Sequence, residues 1–251
     1  GRGYPVTTRI AMWSGPRNIS TAMMRSWENR LDTSVIDEPF YAYYLNRSQV
    51  SHPGFDEIVN SQSIHYKDVA EAMSRGDCST PLQYQKHMTH HLFKDDDLEW
   101  TANLKHAFLI RDPAEIVSSY TAVRGTCKLQ DIGIEQQLFL YKKISKITGQ
   151  DIPIIDSNDV LREPKALVSQ LCDKLDVPFS GDMLKWPAGK RTSDGIWAPY
   201  WYESVEASTG FKAHQKPALV LDMEQLSVVT EAMPYFHELY AQRLIPSTEA
   251  V

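Results

Sequence analysis

Cysteine is scarce: Cys78, Cys127 and Cys172 are the only three in 251 residues, they lie far apart, and no two form a C-x-x-C pair. Neither a disulfide framework nor a cysteine zinc site is written here, and reduced, mostly buried thiols are expected. Long apolar runs are missing too. No stretch approaches the roughly 18 residues of a membrane span, and Gly1-Arg2-Gly3-Tyr4-Pro5 lacks the apolar centre of a signal peptide. A cytoplasmic location with no membrane partner is the expectation. Positive charge is short: Lys+Arg 26 against Asp+Glu 32 gives a net charge of -6. That disfavours nucleic acid, which needs a broad basic field, although a small polyanion still fits a local basic pocket. No repeat, low-complexity tract or Gly/Ser linker divides the chain. Residues 7–245 therefore read as one domain, with 1–6 as a tag or disordered N-terminus and 246–251 as a tail. What is present is core material, 42% hydrophobic and 10% aromatic, the composition of a globular protein.

Short apolar runs at residues 9–13, 34–37, 82–85, 107–110 and 152–155 read as buried strands. Helical spacing lies between them: Met23 and Trp27 four apart within 19–30, residues 114–123 after Pro113, and a Leu167, Leu171, Leu175 stripe. Such alternation predicts a single-domain α/β fold, a mostly parallel central sheet flanked by helices, with ligands at the carboxyl ends of the strands. Residues 183–214 set Trp186, Trp197, Tyr200, Trp201, Tyr202 and Phe211 among glycines and prolines and read as a long structured loop or lid. Residues 223–244 read as a closing helix interrupted near Pro234, packing Leu226, Met233, Phe236 and Leu239 on the sheet.

The residues that carry chemistry fall at strand ends. Trp13-Ser14-Gly15-Pro16-Arg17-Asn18-Ile19-Ser20-Thr21 follows the first strand and enters a helix. A turn at Gly15 aims backbone N–H groups inward, the helix start adds partial positive charge, Ser20 and Thr21 offer hydroxyls, and Arg17 brings a full charge: a phosphate loop. The plain alternative is a strand-to-helix turn with a serine cap. No Gly-Lys precedes Ser20, so the nucleotide-hydrolase loop is not met. In Phe108-Leu109-Ile110-Arg111-Asp112-Pro113, a strand ends in Arg111 and a helix follows that carries Ser119. Arg111 and Ser119 can converge on a second phosphate, while Arg-Asp-Pro alone also reads as a surface turn.

Together the two segments resemble the sulfotransferases that use 3′-phosphoadenosine 5′-phosphosulfate (PAPS). In that family a Pro-Lys-Ser-Gly-Thr-Thr-like loop between strand and helix binds the 5′-phosphosulfate, and Pro16-Arg17-Asn18-Ile19-Ser20-Thr21 occupies its place, with Arg17 for the usual lysine. Arginine keeps the charge but is a poorer proton donor. The family's Arg-(Asn/Asp)-Pro with a serine eight positions after the Arg, a 3′-phosphate site, is matched by Arg111, Asp112, Pro113 and Ser119. Ile154-Ile155-Asp156-Ser157-Asn158-Asp159-Val160 is similar to a structural strand and turn of the family. Its C-terminal Arg-Lys-Gly loop is replaced either by Ser208-Thr209-Gly210-Phe211-Lys212 or by Gly189-Lys190-Arg191, so Lys190, Arg191 and Lys212 are the expected basic contacts. Trp-Ser-Gly-Pro-Arg-Asn-Ile-Ser-Thr-Ala-Met followed by Asp-Glu-Pro-Phe-Tyr-Ala is similar to a small bacterial and plant sulfotransferase-like subgroup often named beside aminotransferases. No pyridoxal-phosphate site is seen in the residues.

The resemblance implies a P-loop-like sulfotransferase fold, PAPS as donor, adenosine 3′,5′-bisphosphate (PAP) as product, no required metal, and a small-molecule acceptor with a hydroxyl or amine. Arg17 then stabilises the leaving group and Lys86 reaches the transferring sulfonate. Two bases compete. Glu38, in Asp37-Glu38-Pro39-Phe40, stands where several bacterial members carry a catalytic glutamate; the alternative is a helix-start carboxylate. In Lys86-His87-Met88-Thr89-His90-His91, similar to a Lys-Thr-His motif, Met88 takes the histidine's place, leaving His87, His90 or His91, with His90 preferred. Three close histidines also suit a metal, but no cysteine or carboxylate pattern supports one. Phe40, His87, His91, Trp197, Tyr200 and Trp201 are expected to contact an acceptor, an aromatic or cationic one fitting aromatic faces and the acidic balance. The competing functions are a P-loop small-molecule kinase and an inactive nucleotide-binding module. Oligomeric state stays open, a homodimer contact included.

Overall fold

The computed structural model describes residues 6–213 and 218–246, so His214, the last residue of the expected lid, lies outside the described residues. Five strands form one sheet: β1 (Thr8–Ser14), β2 (Thr33–Asp37), β3 (Leu82–Met88), β4 (Lys105–Ile110) and β5 (Ile154–Asp156). Their order is β2-β3-β1-β4-β5 and every pairing is parallel. Since β1 has β3 on one side and β4 on the other, chain connections leave it in both directions. The crevice this opens at the strand ends is where such sheets take ligands.

Both faces are covered, as the near-continuous apolar strands require. Ile10, Met12, Tyr84, Ala107 and Leu109 pack with Met23, Met24 and Trp27 of the helix Ser20–Glu28 and Leu167, Leu171 and Cys172 of the helix Pro164–Lys174. Ala11, Trp13, Phe108 and Ile110 pack on the opposite face with Ile116 and Val117 of the helix Pro113–Arg124, Leu140 and Ile144 of Ile134–Thr148, and Phe236 and Leu239 of Met223–Tyr240. Trp13 is fully buried, stacks on His87 at 4.5 Å and donates to His106 Nδ1 at 3.0 Å. Trp13→Ala is expected to cost about 3–5 kcal/mol, cavity and lost packing together, as urea unfolding would report.

Two expectations are corrected. The last helix is continuous from Met223 to Tyr240 with Pro234 inside it. Val228, Ala232, Phe236 and Leu239 form a buried stripe on both sides of the proline, and this packing offsets the missing backbone bond. Leu226 does not face the sheet, being 45% exposed. The second correction is β3, which continues past Gln85 through Lys86 and His87 to Met88, beyond the run expected to end at Gln85. Hydrogen bonds hold them in place: Gln85 Nε2 donates to Met73 O and Gln83 Oε1, and His87 Nε2 pairs with Gln85 Oε1, while His87 Nδ1 has no partner.

The segment read as a lid is structured. Short helical turns at Gly181–Leu184, Ala198–Trp201 and Glu203–Glu206 are joined by loops, and an antiparallel bridge ties Lys185 to Gly210. A buried, bidentate Arg25–Asp194 ion pair at 2.6 Å fastens it to the helix Ser20–Glu28. Among the described residues no helix is long and apolar enough to cross a membrane.

Candidate active site

A cleft of about 600 Å³ opens at the carboxyl ends of the strands, lined by Pro16, Arg17, Asn18, Ile19, Ser20 and Thr21 and also by Glu38, Lys86, Arg111 and Ser119. Four segments distant in sequence therefore meet, as the parallel topology dictates. The loop after β1 turns with Arg17 at φ 55, a left-handed conformation uncommon outside glycine. Gly15 is required there for closeness: a Cβ on it would lie 2.5 Å from Ile132 O. Asn18 Nδ2 donates to Leu109 O at 3.3 Å, tying the loop to β4.

At one end of the cleft two guanidiniums lie together. Arg17 Nε donates to Ser119 Oγ at 2.9 Å, and Arg111 donates to Arg17 O and to Glu115 Oε2. Burial, and then the charge of Arg111, lower the Arg17 pKa. Packing like charges in a half-buried site suits an anion.

Deeper in the cleft stands a buried ionic cluster. The β2–β3 register places Asp37 opposite Lys86, and Glu38, just past the end of β2, donates its N–H to Lys86 O. Glu38 holds a left-handed φ of 43. Lys86 Nζ donates to Thr21 Oγ1 at 2.8 Å, Glu38 Oε2 at 2.9 Å and Tyr202 OH at 2.7 Å, and lies 3.5 Å from Asp37 Oδ1. Thr21 thus joins the lysine to the loop after β1. Burial pushes Asp37 up to about 6 against the pull of Lys86.

Beyond Glu38 runs an aromatic wall. His91 stacks on Tyr41 at 4.7 Å and on Tyr44 at 5.0 Å, its Nε2 is 3.9 Å from Glu38 Oε1, and Tyr41 OH pairs with His52 Nδ1 at 2.8 Å. His90 and Trp201 also line the cleft. Burial lowers His90 to about 3 and His52 to about 4, so both rings are neutral near neutral pH.

Six expected site residues lie elsewhere. His87 packs beneath the sheet on Trp13 and Phe40, because the longer β3 turns alternate residues to opposite faces and sends Lys86, not His87, to the cleft. Phe40 is buried against Tyr66 and Trp100. Trp197 is buried and donates to Tyr202 OH at 2.9 Å. Tyr200 is 42% exposed, with its hydroxyl on Glu57. Arg191 spends its donors on Pro187 O, Gly189 O and Lys190 O beside a separate shallow hollow, and the exposed Lys190 does not reach the cleft. Of the two candidate C-terminal loops, residues 208–212 border the cleft, Lys212 included. Sequence reasoning passed over Tyr41, Tyr44 and His52, and placed Tyr202 only in the aromatic run that could line an acceptor pocket, where it does border the cleft. The adjacent Asp37-Glu38 pair at a strand end was the one available signal that a buried donor must come from elsewhere.

The family described as sulfotransferase domain matches residues 8–243. Branched-chain-amino-acid aminotransferase-like proteins 1 and 2 of Arabidopsis thaliana are 33% and 31% identical over 230 residues, 92% of this chain. The chain spans 41% of the length of those relatives. Among solved structures, a sulfotransferase from Alicyclobacillus acidocaldarius is similar at TM-score 0.55 and 11% identity, covering 96% of this chain and 98% of its own. The sulfotransferase domain from the curacin biosynthetic pathway is similar at TM-score 0.53 and 17% identity, covering 92% and 99%. These likenesses establish a common fold, and with a family match over nearly all of its length the chain belongs to the sulfotransferase domain family.

Proposed function

We propose that this protein is a PAPS-dependent sulfotransferase that moves a sulfonate to a hydroxyl or amine of a small acceptor. One observation carries this: Arg17, Arg111 and Ser119 form an anion site at one end of a cleft whose phosphate loop leads, through Thr21, to the Lys86–Glu38 pair. A donor bearing two phosphate groups needs two such anion sites in one cavity, and a volume of about 600 Å³ is in the range of small-ligand pockets. PAPS supplies, when bound, a sulfonate on a phosphate leaving group. Arg111 and Ser119 would hold its 3′-phosphate. Ser20, Thr21 and the helix start would hold the 5′ end, and Arg17 with Lys86 would balance the charge that develops there.

Glu38 is the base in this scheme. Its carboxylate touches Lys86, beside the loop that would hold the donor, whereas a histidine lowered to about 3, as His90 is, accepts protons poorly. The proton taken from the acceptor forms a new O–H bond on Glu38 as the acceptor's oxygen or nitrogen attacks. Tyr41, Tyr44, His91 and Trp201 offer ring faces for a planar or cationic acceptor.

Isothermal titration with PAP in EDTA is expected to give tight binding, weakened about 10- to 100-fold by Arg111→Ala, the loss of one charged hydrogen-bonding group. No binding of PAP, with binding of ATP and magnesium instead, would overturn the proposal and favour the kinase.

A further inference from the structure

Tyr202 enters the cleft from the aromatic segment, and its hydroxyl sits among four charged or polar side chains. Lys86 Nζ lies at 2.7 Å and Trp197 Nε1 at 2.9 Å. Both are donors without acceptor capacity in these roles, so together they occupy the phenol's two lone pairs. One proton remains to be given. Asp37 Oδ1 and Oδ2 both lie at 2.8 Å and Glu38 Oε2 at 2.9 Å, so it is donated to one carboxylate at a time.

The neighbouring donors and acceptors are likewise committed. Lys86 spends its three N–H bonds on Thr21, Glu38 and Tyr202. Asp37 Oδ2 also accepts the Gly195 N–H at 2.9 Å, and any Cβ on Gly195 would collide with the Trp197 ring. Two buried carboxylates thus face one ammonium, one negative charge in excess. The other groups turned toward them are His91, 3.9 Å from Glu38, with His52 and Tyr41 behind it, and the Arg25–Asp194 pair on the Asp37 side. His91 and His52 are neutral, since burial lowers both, so the excess is not cancelled from that direction.

We infer that Tyr202 is a positioning residue that couples Glu38 to Asp37, its single phenolic proton turning from Glu38 to Asp37 when Glu38 takes up a proton, and so sets the proton affinity of the base. This rests on Glu38 being the base of the proposed transfer. With Glu38 ionised and awaiting the acceptor, the phenol supplies it a hydrogen bond. Once Glu38 carries the acceptor's proton, the phenol turns to Asp37. No covalent bond of Tyr202 changes. The aromatic segment takes part in the chemistry through this contact, which neither Trp197 nor Tyr200 makes with the carboxylates.

Tyr202→Phe and Asp37→Asn separate this role from a structural one because they act in opposite directions. Removing the phenol takes a donor from Glu38 and raises its proton affinity. The acid limb of kcat should move up by about one pH unit, with kcat about tenfold lower at pH values below the limb and PAP affinity unchanged. Removing the Asp37 charge lowers the proton affinity of Glu38, and the limb should move down. The same proteins, labelled with ¹³C at Asp and Glu carboxyls, are titrated by NMR without donor or acceptor. The Glu38 signal, assigned by its loss in Glu38→Gln, should shift its midpoint in the same two directions. A wild-type protein that transfers no sulfonate would end the functional proposal while leaving the carboxyl titration readable. Unmoved midpoints in both variants, or shifts of the same sign, would overturn the coupling itself.

Discussion

Lys86→Met is expected to lower sulfonate transfer by about 10²–10³-fold, the scale of losing one charge-stabilising donor at a reacting centre. The same change should lower stability by about 3–5 kcal/mol, because it strands buried carboxylates without their cation. Lys86 is 2% exposed, Asp37 6% and Glu38 7%, so water cannot replace the lost partner. Glu38→Gln separates the two effects. It should cost about 10²–10⁴-fold in transfer, as removal of a general base does, without a comparable loss of stability, since it relieves the excess negative charge beside Lys86. The double variant Lys86→Met/Glu38→Gln should regain part of the stability and none of the activity. Single-turnover transfer and urea unfolding on the same preparations read both quantities. A Lys86→Met protein that keeps full activity would remove the lysine from the chemistry.

Below about pH 6.5 the fold should lose stability steeply. Burial lowers His87 and His90 to about 3 and His52 and His106 to about 4, and His91 lies well below its ordinary value. A histidine depressed in the folded state takes up its proton in the unfolded chain first, so its contribution is complete above about 6.5 and is lost as pH falls toward 4. Two buried carboxyls act the other way. Asp37 and Asp156 are both raised to about 6 by burial, so each favours the folded state increasingly as pH falls through about 6. Five histidines against two carboxyls leave about three net protons, or about 4 kcal/mol per pH unit between pH 6 and 4. The loss of about 8 kcal/mol by pH 4 is a large part of a total stability of about 5–15 kcal/mol, so the midpoint of thermal unfolding should fall steadily with pH. Circular dichroism melts from pH 8 to pH 5 test this, and a Tm that does not fall would overturn it. Activity lost in the same range must be corrected for the unfolded fraction before it is assigned to Glu38.

How far the site was legible from sequence differs by segment. The loop after β1 and the Arg111–Ser119 pair were visible because their geometry is local: a strand end, a turn and a helix start within a dozen residues position Arg17, Ser20 and Thr21. The histidine cluster was not. Its assignment depended on where β3 ends, and a strand continued to Met88 turns His87 into the core. The strand read from the sequence ended at Gln85, but hydrogen bonds running from His87 through Gln85 and Gln83 to Arg9 Nη1 keep His87 within it. The aromatic segment was less legible still. Six aromatic residues there are chemically alike, and only the docking of Gly195 and Tyr202 on Asp37 selects Tyr202.

The sequence by itself determined the alternation of buried strands and helices, hence the parallel sheet, and the loops that meet at its carboxyl end. Periodicity and turn chemistry act over a few residues, and both are readable one segment at a time. Only the tertiary structure decided that Lys86, Glu38, Asp37 and Tyr202 form one cluster, that Lys190 and Arg191 lie outside the cleft while Lys212 borders it, and that Pro234 does not break its helix. Each of these depends on packing between residues far apart in the chain, where inter-strand register and the burial of charge, rather than local preference, fix the side chain's surroundings.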